Sequence, residues 1–225
     1  MNFLNYLKIK IVSLLRTIQI SLYVARIDNT SKLQIKEYFD RGCGEPASAY
    51  EKLQFLKGFS RPTHYWIETG TFVGYTSRGL SSVSKHVYSL EPSPHYFKHS
   101  TKELSDLSNV SVINSTSEDG LLSIFETIPT GSVVNLWLDG HYSAGGTFLG
   151  ANKCPIPFEL EVLESLKSRY IFRIFIDDFR LFGVDDGYPE KDFLVNWSKK
   201  NEFSWTVEND IFIMSKETLR EPGQN

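Results

Sequence analysis

Ile174-Phe175-Ile176-Asp177-Asp178-Phe179-Arg180 and Leu136-Trp137-Leu138-Asp139-Gly140-His141-Tyr142 each run apolar and then stop in acid. Apolar runs of this length read as buried strands of a parallel sheet. Acids placed where such strands stop lie at their carboxyl ends, where open α/β sheets bind ligands. Three carboxylates and one imidazole then converge on a small space. Acids held that close repel one another unless a cation or a shared proton neutralises them. The two stretches therefore point to a metal-assisted active site.

Reading outward from them, strands and helices alternate from residue 64 onward. Strands are expected over 64–68, 86–91, 110–114, 133–139 and 170–177, with helices over 76–84, 95–107, 118–128, 158–168 and 191–199. Two further strands, 203–208 and 211–215, are joined tightly around Asn209-Asp210. Five βα units and a terminal hairpin imply an α/β fold: a doubly wound, mainly parallel seven-stranded sheet with helices on both faces and a C-terminal antiparallel hairpin. Upstream, helices are expected over 32–39 and 47–56. The chain divides into an N-terminal helical extension or cap (1–60) and a catalytic domain (61–225).

The bulk properties agree with one large domain plus an appendage. The 225 residues are 41% hydrophobic and 14% aromatic, enough for a sizeable core and against disorder. A net charge of −3 speaks against a nucleic-acid partner. Cys43 and Cys154 lack CxxC spacing and read as reduced thiols of a cytoplasmic protein. Residues 1–27 hold Lys8, Lys10, Arg16 and Arg26, no acid, and an apolar stripe of Leu4, Leu7, Ile11, Leu14, Ile18 and Leu22. The charges interrupt any spanning segment or signal peptide. Two readings stand: a helix packed on the domain or on a partner in a homo-oligomer, and a basic amphipathic helix lying peripherally on the inner face of a membrane.

The loop after the first strand, Glu68-Thr69-Gly70-Thr71-Phe72-Val73-Gly74-Tyr75-Thr76-Ser77, lets Gly70 and Gly74 turn tightly and approach a ligand. It lacks the Gly-Lys-Ser/Thr of a phosphate-binding P-loop. The acid before it would repel phosphate but suits a cationic amine. Glu91 ends the second strand about 20 residues later, a spacing that suits an acid on a ribose diol. Asn114, Ser115, Thr116 and Ser117 follow the third strand. They could reach an adenine, although Ser117 with Glu118 and Asp119 looks like a helix N-cap.

The Glu-Thr-Gly-Thr loop, Glu91 and the strand order resemble class I S-adenosylmethionine-dependent methyltransferases, over about residues 64–215. Within that class, Leu138-Asp139-Gly140-His141-Tyr142 and Ile176-Asp177-Asp178 look most like the macrocin O-methyltransferase type. Those enzymes methylate sugar hydroxyls and need magnesium. The resemblance implies that Asp139, Asp177 and Asp178 ligate Mg²⁺ and that His141 is the general base. It also implies that Glu68, Thr69, Gly70, Thr71, Gly74, Thr76, Ser77, Glu91, Ser117 and Asp139 surround S-adenosylmethionine. Tyr142 and Arg180 are candidate substrate contacts, and Arg180 could instead neutralise Asp177 or Asp178 and make the metal unnecessary. The long connection holding Gly145-Gly146-Thr147 and Cys154-Pro155-Ile156-Pro157 departs from that type.

The expectation is a Mg²⁺-dependent O-methyltransferase acting on a glycan or other sugar hydroxyl, in surface-polysaccharide or glycoside biosynthesis. Alternatives are a catechol-type or other small-molecule O-methyltransferase, and a non-catalytic nucleoside-binding or assembly protein of the same fold. A glycosyltransferase is disfavoured, since no Asp-x-Asp follows a strand.

Overall fold

The structure, a computed structural model, describes residues 47–140, 153–185 and 187–216. The readings made on residues 1–27, 32–39, Cys43, His141, Tyr142 and Gly145–Thr147 lie outside the described residues. In chain order the elements are α1 (Ala49–Gly58), β1 (Tyr65–Thr69), α2 (Tyr75–Ser81), β2 (His86–Leu90), α3 (Pro94–Glu103), β3 (Val110–Ile113), α4 (Ser117–Thr127), β4 (Val133–Leu138), α5 (Ile156–Leu166), β5 (Ile171–Ile176), a 3-10 turn (Phe179–Leu181), α6 (Lys191–Lys200), β6 (Ser204–Glu208) and β7 (Ile211–Ser215).

The seven strands form one sheet in the order β3-β2-β1-β4-β5-β7-β6. β1 to β5 run parallel, and β7 pairs antiparallel with both β5 and β6. This is the doubly wound sheet with a terminal hairpin that the alternation implies. The hairpin turn places Asn209 (φ 54°) and Asp210 (φ 63°) both in the left-handed region, which is the type I′ geometry that matches strand twist.

Side chains alternate along each strand, so the sheet has two cores. Val134, Leu136 and Leu138 of β4 join Ile67, Ile174 and Ile176 against Leu121 and Phe125 of α4 and Leu160 and Leu163 of α5. On the other face, Trp66, Trp137 and Phe175 pack with Leu53, Phe55 and Leu56 of α1 and Leu80 of α2. α1 is therefore built into one face of the sheet. A capping box starts it: Ser48 Oγ accepts from the Glu51 N–H, and Glu51 Oε2 accepts from the Ser48 N–H at 3.0 Å.

Two local expectations need correction. Ser117 is not the N-cap of α4 but its first residue. Thr116 holds the extended cap conformation and accepts from the Asp119 N–H at 3.2 Å. The proline-rich stretch is not all connection either. Pro155 caps α5 and Pro157 lies in its first turn, where a missing N–H costs nothing.

Candidate active site

Register brings the site together. Thr69 pairs with Leu90 on one side and with Leu138 on the other, and Leu138 pairs with Ile176. The next residues on four adjacent strands are therefore Gly70, Glu91, Asp139 and Asp177. A cavity of about 100 Å³ opens above three of these strand ends. Its floor is Glu68, Trp137, Asp139 and Asp177, its wall is the loop from Gly70 to Val73 with Tyr75 and Thr76, and its roof is Ala49, Lys52, Leu53 and Leu56 of α1. Those four α1 positions recur at i, i+3, i+4 and i+7, the stripe one helix face presents. Lys52 stands in that stripe where an apolar residue is the rule.

The loop is held by backbone. The N–H groups of Gly70 and Thr71 both donate to the Leu90 carbonyl, at 2.9 and 3.1 Å. Gly70 has φ +91°, and a Cβ there would lie 2.6 Å from the Asp139 carbonyl oxygen. Only glycine allows β1 and β4 to approach this closely just past their ends. Thr69 Oγ1 accepts from the Asp139 N–H at 3.3 Å and ties the two strand ends together.

Two glutamates lie on the β1–β2 side. Glu68 is buried and accepts hydroxyl hydrogens from Ser77 and, at 2.6 Å, from Ser89. Burial pushes its carboxyl up to about 7, against the lowering effect of both serines. Glu91 accepts the Phe72 N–H on one oxygen at 2.7 Å and the Ser93 N–H on the other at 2.9 Å. Burial lifts it to about 7 as well, against those two donors. Each Glu91 oxygen keeps lone-pair capacity beyond its one N–H.

The aspartates on the β5 side have charged partners. Lys52 Nζ donates to Asp177 Oδ1 in a buried contact and stands 3.5 Å from Asp178 Oδ1. Arg180 Nη1 lies 2.6 Å from the same Asp178 oxygen and also pairs with Asp210, which is fully buried at the β6–β7 turn. The Asp178 N–H adds a bond of 2.7 Å to Asp177 Oδ1, and the Arg180 N–H one of 2.8 Å to Asp210 Oδ1. Burial works against the charge on Lys52, yet Asp177, Asp178 and Asp139 together hold its ammonium above the ordinary lysine range. Asp178 adopts φ 54°, a left-handed conformation that is uncommon outside glycine. Strained backbone of this kind clusters at functional sites.

Of the residues singled out in the sequence, Glu68, Gly70, Thr71, Thr76, Asp139 and Asp177 line the cavity. Ser77 supports Glu68, and Thr69 supports Asp139. Gly74 caps α2. Glu91 and Ser117 stand outside the cavity lining, and Asp178 is reached through Lys52 and Arg180. Arg180 forms an ion pair with Asp178. Sequence reasoning missed Lys52, Asp210 and Trp137. The Trp137 indole N–H faces a buried environment with no hydrogen-bond partner among the described residues.

No protein-family model and no curated protein matches the sequence. Solved structures do match the fold. A Streptococcus mutans protein described as a methyltransferase, in complex with SAH, aligns at a TM-score of 0.52 and 17% identity over 76% of this chain and 96% of that one. The chain has the Rossmann-like methyltransferase fold. A Clostridium thermocellum protein described as an rRNA methylase aligns at 0.51 and 16% identity over 74% and 95%. At these identities the likeness concerns architecture, and the macrocin type within the class stays a sequence resemblance.

The expected Mg²⁺ does not fit the acids as they stand. Among the described residues no group of three or more His, Cys, Asp and Glu is arranged to hold a metal ion. Asp177 Oδ1 and Asp178 Oδ1 are each engaged by a cationic side chain. Mg²⁺ demands near-octahedral oxygens at about 2.0–2.1 Å, and an ammonium bonded to those same oxygens stands in its way. Among the described residues, no helix is long and apolar enough to cross a membrane.

Proposed function

We propose that this chain is an S-adenosylmethionine-dependent methyltransferase that transfers the methyl group to a sugar hydroxyl. One observation carries the cofactor half. A buried glutamate, Glu68, lies in a cavity behind a glycine turn at the strand ends of a fold shared with an SAH-bound protein. A carboxylate in a low-dielectric pocket suits the ammonium and sulfonium charges of that cofactor far better than a phosphate. Ligand clefts usually enclose about 300–1,000 Å³, so this smaller enclosure receives the amino-acid end. The adenosine then lies toward Glu91, whose remaining lone pairs suit a ribose diol.

The reaction is an in-line displacement. The hydroxyl oxygen supplies the electron pair of the new O–C bond, and the S–C pair stays on sulfur as S-adenosylhomocysteine leaves. The hydroxyl proton passes to a base, for which His141, two residues after Asp139, is the candidate by its place in sequence. The sulfonium is already reactive, so the protein contributes mainly position and charge. The sugar acceptor rests on the Asp-Gly-His-Tyr and Asp-Asp resemblance. Mg²⁺ is left out of the proposal because cations already engage Asp177 and Asp178.

Titration of the full chain with S-adenosylmethionine, S-adenosylhomocysteine and ATP tests the cofactor half. Saturable binding of the first two, weakened by Glu68→Gln, and none of ATP is expected. Failure of both adenosyl ligands to bind overturns the reading. Assay of a glycoside panel beside a catechol tests the acceptor half, and methylation of the catechol alone would move the acceptor class.

A further inference from the structure

We infer that Lys52 takes the place of a metal ion at the aspartate end of the cavity, so that methyl transfer proceeds without a divalent cation. The consequence for catalysis rests on the proposed methyl transfer. The occupancy of the acids by Lys52 is independent of it.

Position is the first argument. Lys52 lies on the one face of α1 that roofs the cavity, with Ala49, Leu53 and Leu56. Its side chain is 11% exposed, so the ammonium is held inside rather than reaching solvent. An isolated buried ammonium is costly, and such groups persist where carboxylates pair with them. Asp177 and Asp178 are those carboxylates.

Saturation is the second. Asp177 Oδ1 accepts both the ammonium and the Asp178 N–H. Asp178 Oδ1 is shared between Lys52 and Arg180. Arg180 is fixed in turn by Asp210, which the I′ turn of the β6–β7 hairpin delivers to the site. The Oδ1 atoms of both acids are thus directed at cations, and a metal would have to displace Lys52 to reach Asp177 Oδ1.

Chemistry is the third. An ammonium has three donors. Two meet Asp177 and Asp178, and the third can orient an acceptor hydroxyl in the cavity. The ammonium then acts on that hydroxyl by position, since Asp177 and Asp178 already answer its charge. The hydroxyl proton still leaves to the base, and the bonds made and broken are those of the displacement above.

Mn²⁺ serves as the probe, read by electron paramagnetic resonance and by its effect on melting temperature, with the full chain, Lys52→Met and Asp177→Asn. Lys52→Met keeps the aliphatic stem and removes the charge. Wild type is expected to bind no Mn²⁺ at this site. Lys52→Met is expected to bind it at least about tenfold more tightly, since a like charge has been removed. Mn²⁺ should raise the melting temperature of that variant only. Lys52→Arg should stay metal-free like wild type. Stoichiometric Mn²⁺ binding by wild type that disappears in Asp177→Asn overturns the inference, and so does a folded Lys52→Met that gains no Mn²⁺ affinity. S-adenosylhomocysteine binding, measured in parallel, separates this outcome from failure of the methyltransferase reading.

Discussion

The two sides of the site, one at β1 and β2 and one at β5, treat their acids in opposite ways. On the β1–β2 side, Glu68 and Glu91 are buried and answered by neutral donors, the hydroxyls of Ser77, Ser89 and Thr76 at Glu68 and two backbone N–H groups at Glu91. On the β5 side, Asp177 and Asp178 are answered by Lys52 and Arg180. Neutral donors leave a carboxylate short of compensation, and both glutamates stay near 7. On the β5 side cations supply part of that compensation, although burial still lifts the Asp177 carboxyl above its ordinary range against the Lys52 ammonium. The glutamate half is thus open to a cationic ligand, and the aspartate half already holds its counter-ions. A run of acids at strand ends is not one site with one kind of partner.

The sharpest way to break this contrast is to empty the aspartate half. Lys52→Met leaves buried acids without their cation and should cost about 3–5 kcal/mol of stability by denaturant unfolding. A loss below about 1 kcal/mol would mean that the pair contributes little. Next in size is Gly70→Ala, which forces φ +91° on a residue with a Cβ and drives that atom against the Asp139 carbonyl. Strain and overpacking together predict a loss of about 3–4 kcal/mol, with adenosyl-ligand binding abolished.

Glu68→Gln sharpens the contrast through pH. Between about 4.5 and about 7 the folded protein keeps a proton on Glu68 that the unfolded chain has released. Stability therefore falls as pH rises across that window, by up to about 3 kcal/mol for this group. The variant should lose that part of the slope while Glu91 keeps its own. An unchanged pH–stability profile would remove the contrast from the glutamate side. Ligand binding reads the same group: a cationic ligand beside Glu68 should release a proton near neutral pH. Binding enthalpies that do not vary with buffer ionisation would contradict that. The smallest effect belongs outside both halves. Arg78 and Asp106 form an exposed pair at 2.8 Å, and Arg78→Ala should change stability by no more than about 1 kcal/mol.

Much of this was legible in the sequence, for definite reasons. The strands of the site announced themselves because β4 and β5 are apolar runs ending in acid while β1 and β2 stop at Gly70 and Glu91, and parallel register then places Gly70, Glu91, Asp139 and Asp177 side by side. Lys52 was hidden because a helix pattern tells which residues share a face but not which sheet face receives it. A lysine among Ala49, Leu53 and Leu56 was the available signal. Asp210 was hidden because its turn reads as a simple hairpin, and only the β5–β7 pairing carries it to Arg180. Ser117 and Thr116 are chemically equivalent caps, and the backbone at Thr116 decides between them.

The central claim is that the glutamate half binds an adenosyl cofactor while the aspartate half needs no metal. Calorimetric titration of the full chain with S-adenosylhomocysteine in EDTA, then with Mg²⁺ restored, tests both parts. The account predicts one-to-one binding of equal affinity in the two conditions. Binding that appears only with Mg²⁺, or in neither condition, would contradict it.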